Sequence, residues 1–221
     1  MDYRITALKV QVKNPNRVSV YLDGEFAFGV SRIVAAWLRV DQVLTEEKIA
    51  SIKEQEAQEA ALQKALFLLS YRPRAEAEIR QRLDKAGFEA GVIDQVLERL
   101  RTTGLVQDEG FAREWVENRG AFRPRSHKML AYELRRKGVT EDAIHQALEE
   151  TSSDDDLAYQ AAVRYARKLE RTEFEEFHRR LLAYLGRRGF SYGTAAPIVQ
   201  RVWRELHPRV EDARNYEDKD E

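Results

Sequence analysis

The sequence of 221 residues contains no cysteine. That excludes disulfides, thiolate-held zinc, iron–sulfur clusters and a thiol nucleophile, and it suits a reducing cytoplasm. The four histidines, His127, His145, His178 and His207, are scattered, and none forms an HExxH pair. A glycine-rich phosphate loop is missing as well. No apolar run approaches the roughly 20 residues that a membrane helix needs. The opening MDYRITALKV lacks the basic-then-apolar order of a signal peptide. Neither sign of charge dominates: 37 Lys and Arg face 38 Asp and Glu, for a net charge of −1. A net value hides patches, so the distribution along the chain decides what charge can do. Nothing supplies a nucleophile with its base, and the chain reads as a non-enzyme without cofactor or metal. Asp154-Asp155-Asp156 admits a magnesium reading, but acidic residues at a helix start are the ordinary complement of the helix dipole.

What is present is pattern. Hydrophobic residues make up 43% and charged residues 34%, a balance that suits thin helical layers with much solvated surface. Residues 4–30 read as a small β-meander. ITALKVQVK alternates, Asn14-Pro15-Asn16 signals a turn, RVSVYL comes next, and Asp23-Gly24 is a strong hairpin dipeptide before FAFGV. Three short strands bury little alone, so SRIVAAWL at 31–38 is expected to cover one face. The module is either a structural cap or a partner-binding surface. From Thr45, an N-cap candidate, a long helix is expected to join this module to the helical remainder of the chain.

That remainder repeats. YRPRAEAEIRQRLDKAGFEAGVIDQVLERL at 71–100 lies on FRPRSHKMLAYELRRKGVTEDAIHQALEET at 122–151, and Gly87, Gly138 and Gly189 are spaced 51 residues apart. A glycine there accepts the left-handed conformation that stops a helix. Phe88, Val139 and Phe190 come immediately after and should pack back on the preceding turn. Pro73 and Pro124 break the helix before. Each unit is therefore helix, Pro turn, helix, Gly turn, helix, and units that only partly bury themselves stack. The expected fold is mainly α: three tandem three-helix, helix-turn-helix-like repeats in an elongated array, with a small N-terminal β-meander module. The expected domains are 1–50 (meander plus short helix), 51–105, 106–153 and 154–206 (repeats), and 207–221 (disordered acidic tail). The third unit departs from the pattern at Phe174-Glu175, where Arg-Pro would fall.

Positive charge rides on the repeat. Arg72, Arg74, Arg123 and Arg125 occupy equivalent turns. Lys128, Arg135, Arg136 and Lys137 continue the run, and Arg187 and Arg188 precede the third glycine. Repetition makes these a track suited to a phosphate backbone, whose contacts are electrostatic and largely sequence-independent. The competing reading is a solvated face paired with Glu at helical spacing. Tyr71 and Phe122 read as core rather than as base-stacking platforms.

At these residues the sequence resembles the RecX family of regulatory proteins. The resemblance rests on Tyr71-Arg72-Pro73-Arg74, Leu83 to Phe88, Gly104-Leu105-Val106-Gln107-Asp108-Glu109-Gly110-Phe111-Ala112, Glu133 to Val139, and Arg187-Arg188-Gly189-Phe190-Ser191-Tyr192. It covers roughly 55–206 and is less specific over 1–50. Gln107 departs from the second acidic residue common in the family. The resemblance implies tandem three-helix repeats and a cytoplasmic, monomeric modulator of the RecA recombinase in DNA repair, recombination and the SOS response. It would bind RecA, as monomer or filament on single-stranded DNA, and inhibit ATP hydrolysis, filament growth and strand exchange. The alternatives are a sequence-independent DNA-binding module acting without RecA and, much less supported, an enzyme.

Overall fold

The computed structural model describes residues 1–208. The acidic tail expected over 207–221 lies outside the described residues from 209 onward. His207 itself stacks on Trp203, ring centroids 3.8 Å apart. The chain divides into two compact units between Gln107 and Asp108. No helix among the described residues is long and apolar enough to cross a membrane.

The first unit opens with strands β1 (Asp2–Gln11), β2 (Asn14–Leu22) and β3 (Glu25–Ser31). The Asp23-Gly24 turn has positive φ at both residues, 49° and 93°, as a tight hairpin between twisted strands requires. Alternation then sends Val18, Val20 and Leu22 into the core. The first turn falls at Val12-Lys13, two residues before the Asn-Pro-Asn signal. Asn14 instead starts β2, and its side chain accepts from the Asn16 amide at 3.1 Å. A fourth strand, β4 (Val43–Thr45), pairs antiparallel with β1 and completes the order β3-β2-β1-β4.

The expected cover at 31–38 shrinks to one turn, α1 (Arg32–Ala35), and Trp37 is 82% exposed. The main cover is α2 (Glu46–Leu69), capped by Thr45 Oγ1, which accepts from the Lys48 amide at 3.2 Å. Ile52 of α2 joins Ile5, Val20, Val30 and Leu44 in the sheet core. Three turns later Ala61, Leu62 and Ala65 join a second core with α3 (Glu76–Asp84) and α4 (Ala90–Thr102), through Ile79, Leu83, Ile93, Val96 and Leu97. One helix thus serves the sheet and the first three-helix group, as the sequence pattern expects.

The second unit contains α5 (Asp108–Phe122), α6 (His127–Arg135), α7 (Glu141–Glu149), α8 (Asp154–Ala166), α9 (Phe174–Arg187) and α10 (Tyr192–Leu206). These form two further three-helix groups. Phe111, Val116, Leu130, Leu134, Val139 and Ile144 are buried in α5, α6, α7 and the glycine turn. Phe177, Leu181, Leu185, Phe190 and Val199 centre the last core. The two groups are hydrogen-bonded to each other. The Ser126 amide donates to the Arg188 carbonyl at 3.1 Å, and the His127 amide donates to Asp154 Oδ1 at 2.7 Å.

Gly87, Gly138 and Gly189 have φ of 84°, 79° and 90°. The next amide bonds back to a carbonyl five residues earlier in each case: Phe88 to Leu83, Val139 to Leu134 and Phe190 to Leu185. Gly189 carries a second demand, because a Cβ there would lie 2.5 Å from Ser126 Oγ and 2.9 Å from Met129 Cβ. At Gly87 a Cβ would meet open space. Gly87→Ala should therefore cost only the left-handed penalty, about 1–2 kcal/mol. Gly189→Ala should cost about 3 kcal/mol or more, because strain is added to that penalty. Urea unfolding of the two variants checks this. Equal losses would show that the approach of Ser126 to Gly189 carries no weight.

Candidate functional site

Nine of the ten cations singled out from the sequence divide into two kinds, and the tenth, Lys137, lies over the Trp115 ring. Arg72 and Arg74 converge on Glu78. Arg74 is nearly covered, with an 11% exposed side chain, and its Nε donates to the Leu68 carbonyl at 2.9 Å, tying down the end of α2. Arg125 pairs with Glu133. Arg135 clasps Glu141 through two bonds of 2.6 and 2.8 Å. That hydrogen bonding holds the Glu141 carboxyl below the usual carboxylate range and raises Arg135. Arg188 donates to the Pro124 carbonyl at 2.9 Å and lies 4.6 Å from the Tyr184 ring centroid. These side chains are occupied in holding turns and helix ends. Arg123, Lys128, Arg136 and Arg187 face solvent, and none makes an ion pair among the described residues. Tyr71 and Phe122, expected in the core, are 70% and 74% exposed. Tyr71 stands two residues past the end of α2, and Phe122 is the last residue of α5.

Three of the ten, Arg125, Arg136 and Lys137, meet in an open recess of about 380 Å³ on α5 and α6. The recess also takes in Trp115, Arg119, Met129, Tyr132 and Glu133. Glu133 organises it. Its Oε2 accepts from Trp115 Nε1 and Arg119 Nε, each at 3.0 Å, and its Oε1 accepts from Arg125. The Glu133 side chain is 13% exposed, so these bonds are sheltered from water and stronger than surface pairs. Arg119 and Lys137 each lie 4.3 Å from the Trp115 ring centroid, within cation–π range. Glu133 thus holds Arg119 and Arg125, and with Arg136 also lining the recess three guanidinium groups stand against one carboxylate beside two aromatic rings.

Sequence reasoning found the cations of α6 but missed Trp115, Arg119, Tyr132 and Glu133. Trp115 and Arg119 stand four apart and share one helix face, which was the available signal. The pairing of Arg125 with Glu133 crosses the start of α6, so helical spacing in one segment does not announce it. Asp154 and Asp156 serve helix starts: Asp154 accepts from the His127 amide, and Asp156 Oδ2 accepts from Ser153 Oγ at 2.7 Å.

Removing the Glu133 carboxylate should leave three sheltered donors without their acceptor. Glu133→Ala is expected to lower stability by about 2–3 kcal/mol, and Arg125→Glu should also destabilise by opposing two carboxylates. Arg123→Glu, at an exposed position, should change stability by less than about 0.5 kcal/mol. Urea unfolding at neutral pH separates these cases. An unaffected Glu133→Ala would mean that the recess is not held by its carboxylate.

Three family models match the chain: "Regulatory protein RecX N-terminal domain" over residues 3–45, "RecX, first three-helix domain" over 61–100, and "RecX, second three-helix domain" over 108–148. A regulatory protein RecX of Corynebacterium efficiens is 34% identical over 181 residues, covering 77% of this chain and 85% of the relative. The Bacillus pumilus protein of that name is 30% identical over 219 residues, covering 96% and 81%. A crystal structure of regulatory protein RecX matches with a TM-score of 0.67 at 25% identity, over 90% of this chain and 98% of that one. The structure of RecX from Lactobacillus salivarius has a TM-score of 0.58 at 20% identity, over 67% and 97%, and supports the fold.

Proposed function

The chain belongs to the RecX family of regulatory proteins, and from that membership we propose that it binds the RecA recombinase and its filament on single-stranded DNA, and that it slows ATP hydrolysis, filament growth and strand exchange. It is a regulator rather than an enzyme. The proposed setting is the cytoplasm, and the proposed working form is a monomer without cofactor. The domain division that goes with this proposal is the β-module over 1–50 and repeats over 51–105, 106–153 and 154–206.

One observation supports a filament as target. Lys85, Arg136 and Arg187 stand two residues before the three turn glycines, and all three face solvent. They recur every 51 residues, one per three-helix group. Cations at helix C-termini favour the dipole, but that effect requires no solvent-facing side chain in every group. A partner that itself repeats, such as a filament with anionic surface or bound DNA, can use one contact per group. Each contact is modest alone, and together they gain from effective concentration. Preferential binding to one filament state shifts the filament equilibrium without chemistry.

The test is ATP hydrolysis by the cognate RecA on single-stranded DNA, with and without saturating protein. Suppressed hydrolysis is expected. Lys85→Glu with Arg187→Glu should raise the half-inhibitory concentration about tenfold at low salt, and less at high salt, where screening weakens both proteins' contacts. Unchanged hydrolysis together with no co-sedimentation on filaments would sink the reading. Tight, steeply salt-dependent binding to naked DNA with no effect on RecA would favour a DNA-binding module acting alone.

A further inference from the structure

The recess on α5 and α6 is not demanded by the three-helix fold. At the repeat offset of 51, Tyr132 falls on Gln81 and Ala183, and Glu133 falls on Arg82 and Tyr184. α3 and α6 match end for end at that offset, so the same backbone forms without the recess residues. The buried positions Ile79 and Leu83 do recur, as Leu130 and Leu134 and then as Leu181 and Leu185. What the fold needs is repeated, whereas Trp115, Arg119, Tyr132 and Glu133 have no counterpart of their kind at that offset in either other group.

The set has the chemistry of a nucleotide subsite. Trp115 is already flanked by Arg119 and Lys137. Tyr132 is 54% exposed, and its hydroxyl makes no hydrogen bond among the described residues. The Arg136 guanidinium is 5.9 Å from its ring centroid, at the outer edge of cation–π contact, so the ring remains open to a flat ligand. Arg136 makes no ion pair among the described residues and stands one turn beyond Tyr132. An exposed aromatic face beside a solvent-facing arginine, in a recess with surplus positive charge, suits a group that is flat and anionic at once. A carboxylate would use the cations and leave the ring unused. A base in a duplex could not reach the ring, whereas a base in a single strand can. The volume of about 380 Å³ falls within the range of small-ligand sites, roughly 300–1,000 Å³.

We propose that this recess binds one nucleotide of a single strand, with the base stacked on Tyr132 and its phosphate on Arg136, held in shape by Glu133. The contact is made by the regulator itself and needs no recombinase.

The test is fluorescence anisotropy of the full chain, without recombinase, on two labelled strands of about 15 nucleotides, a length suited to single-strand sites. One is oligothymidylate, and the other has the same phosphates with abasic spacers. The wild-type chain should bind oligothymidylate about tenfold more tightly, as expected for one stacked base. Tyr132→Phe should keep that preference and Tyr132→Ala should abolish it. If the alanine variant loses helical circular dichroism, Tyr132→Leu replaces it with the same loss expected. Arg136→Glu should weaken both strands in parallel, because it removes a phosphate contact. Equal affinity of the wild-type chain for the two strands overturns the proposal. So does a base preference that survives the loss of the ring, or polyglutamate that displaces the strand as well as unlabelled oligothymidylate does. Failure here leaves the recombinase assay untouched, and failure there leaves this measurement standing.

Discussion

The left-handed stop after the second helix of each group sets the architecture. At Gly87, Gly138 and Gly189 the chain reverses with positive φ, and the next amide returns to a carbonyl five residues back. The reversal satisfies helix-end carbonyls that would otherwise be orphaned. It also turns an apolar residue inward: Val139 and Phe190 are buried, and Phe88 packs against the first helical core. The direction of the third helix is set by that reversal, and so is the closure of each core. A side chain with a Cβ could make the turn only at a cost of about 1–2 kcal/mol, a large fraction of a domain's net stability. The 51-residue spacing is the trace of this constraint in the sequence.

What was legible was local. Glycine stops, proline breaks and the Thr45 cap act through their immediate neighbours, so the three-helix groups could be read without tertiary knowledge. The same holds for Asp23-Gly24, whose turn geometry is fixed by two residues. What escaped was contact across distance. β4 is three residues long and exists because β1, some forty residues earlier, offers its edge. Tyr71 and Phe122 looked like core because they are aromatic and periodic with the repeat. Their exposure depends on where the neighbouring helices end. The recess escaped for a similar reason: Glu133 looks like one more surface acid until α5 brings Trp115 and Arg119 onto it.

Internal repetition then acts as a control on interpretation. Three groups on similar backbones show which residues the fold itself requires, because those recur. Leu83, Leu134 and Leu185 recur and are buried. The paired arginines at 74 and 125 also recur, but they use different acceptors: Arg74 reaches Glu78, and Arg125 reaches Glu133. Their common feature is a cation tied down beside a helix break. That weakens the view of the Arg-Pro-Arg turns as a continuous track for phosphate. It moves the case for anion contact to residues that are exposed in every group.

The residue just before each turn glycine shows how one position takes three roles. It is Ala86 in the first group, Lys137 in the second and Arg188 in the third. Alanine contributes only a methyl group. Lys137 lies over Trp115 and Phe111 and borders the recess. Arg188 turns inward, donates to the Pro124 carbonyl and presents its own carbonyl to Ser126. The third group therefore uses this cation to dock against the second. That docking also demands Gly189, since any Cβ there would strike Ser126 and Met129. Met129 in turn lines the recess. The contact that joins the last two groups and the surface offered to a ligand thus share the first turn of α6, so strain placed at Gly189 reaches the wall of the recess through a single side chain.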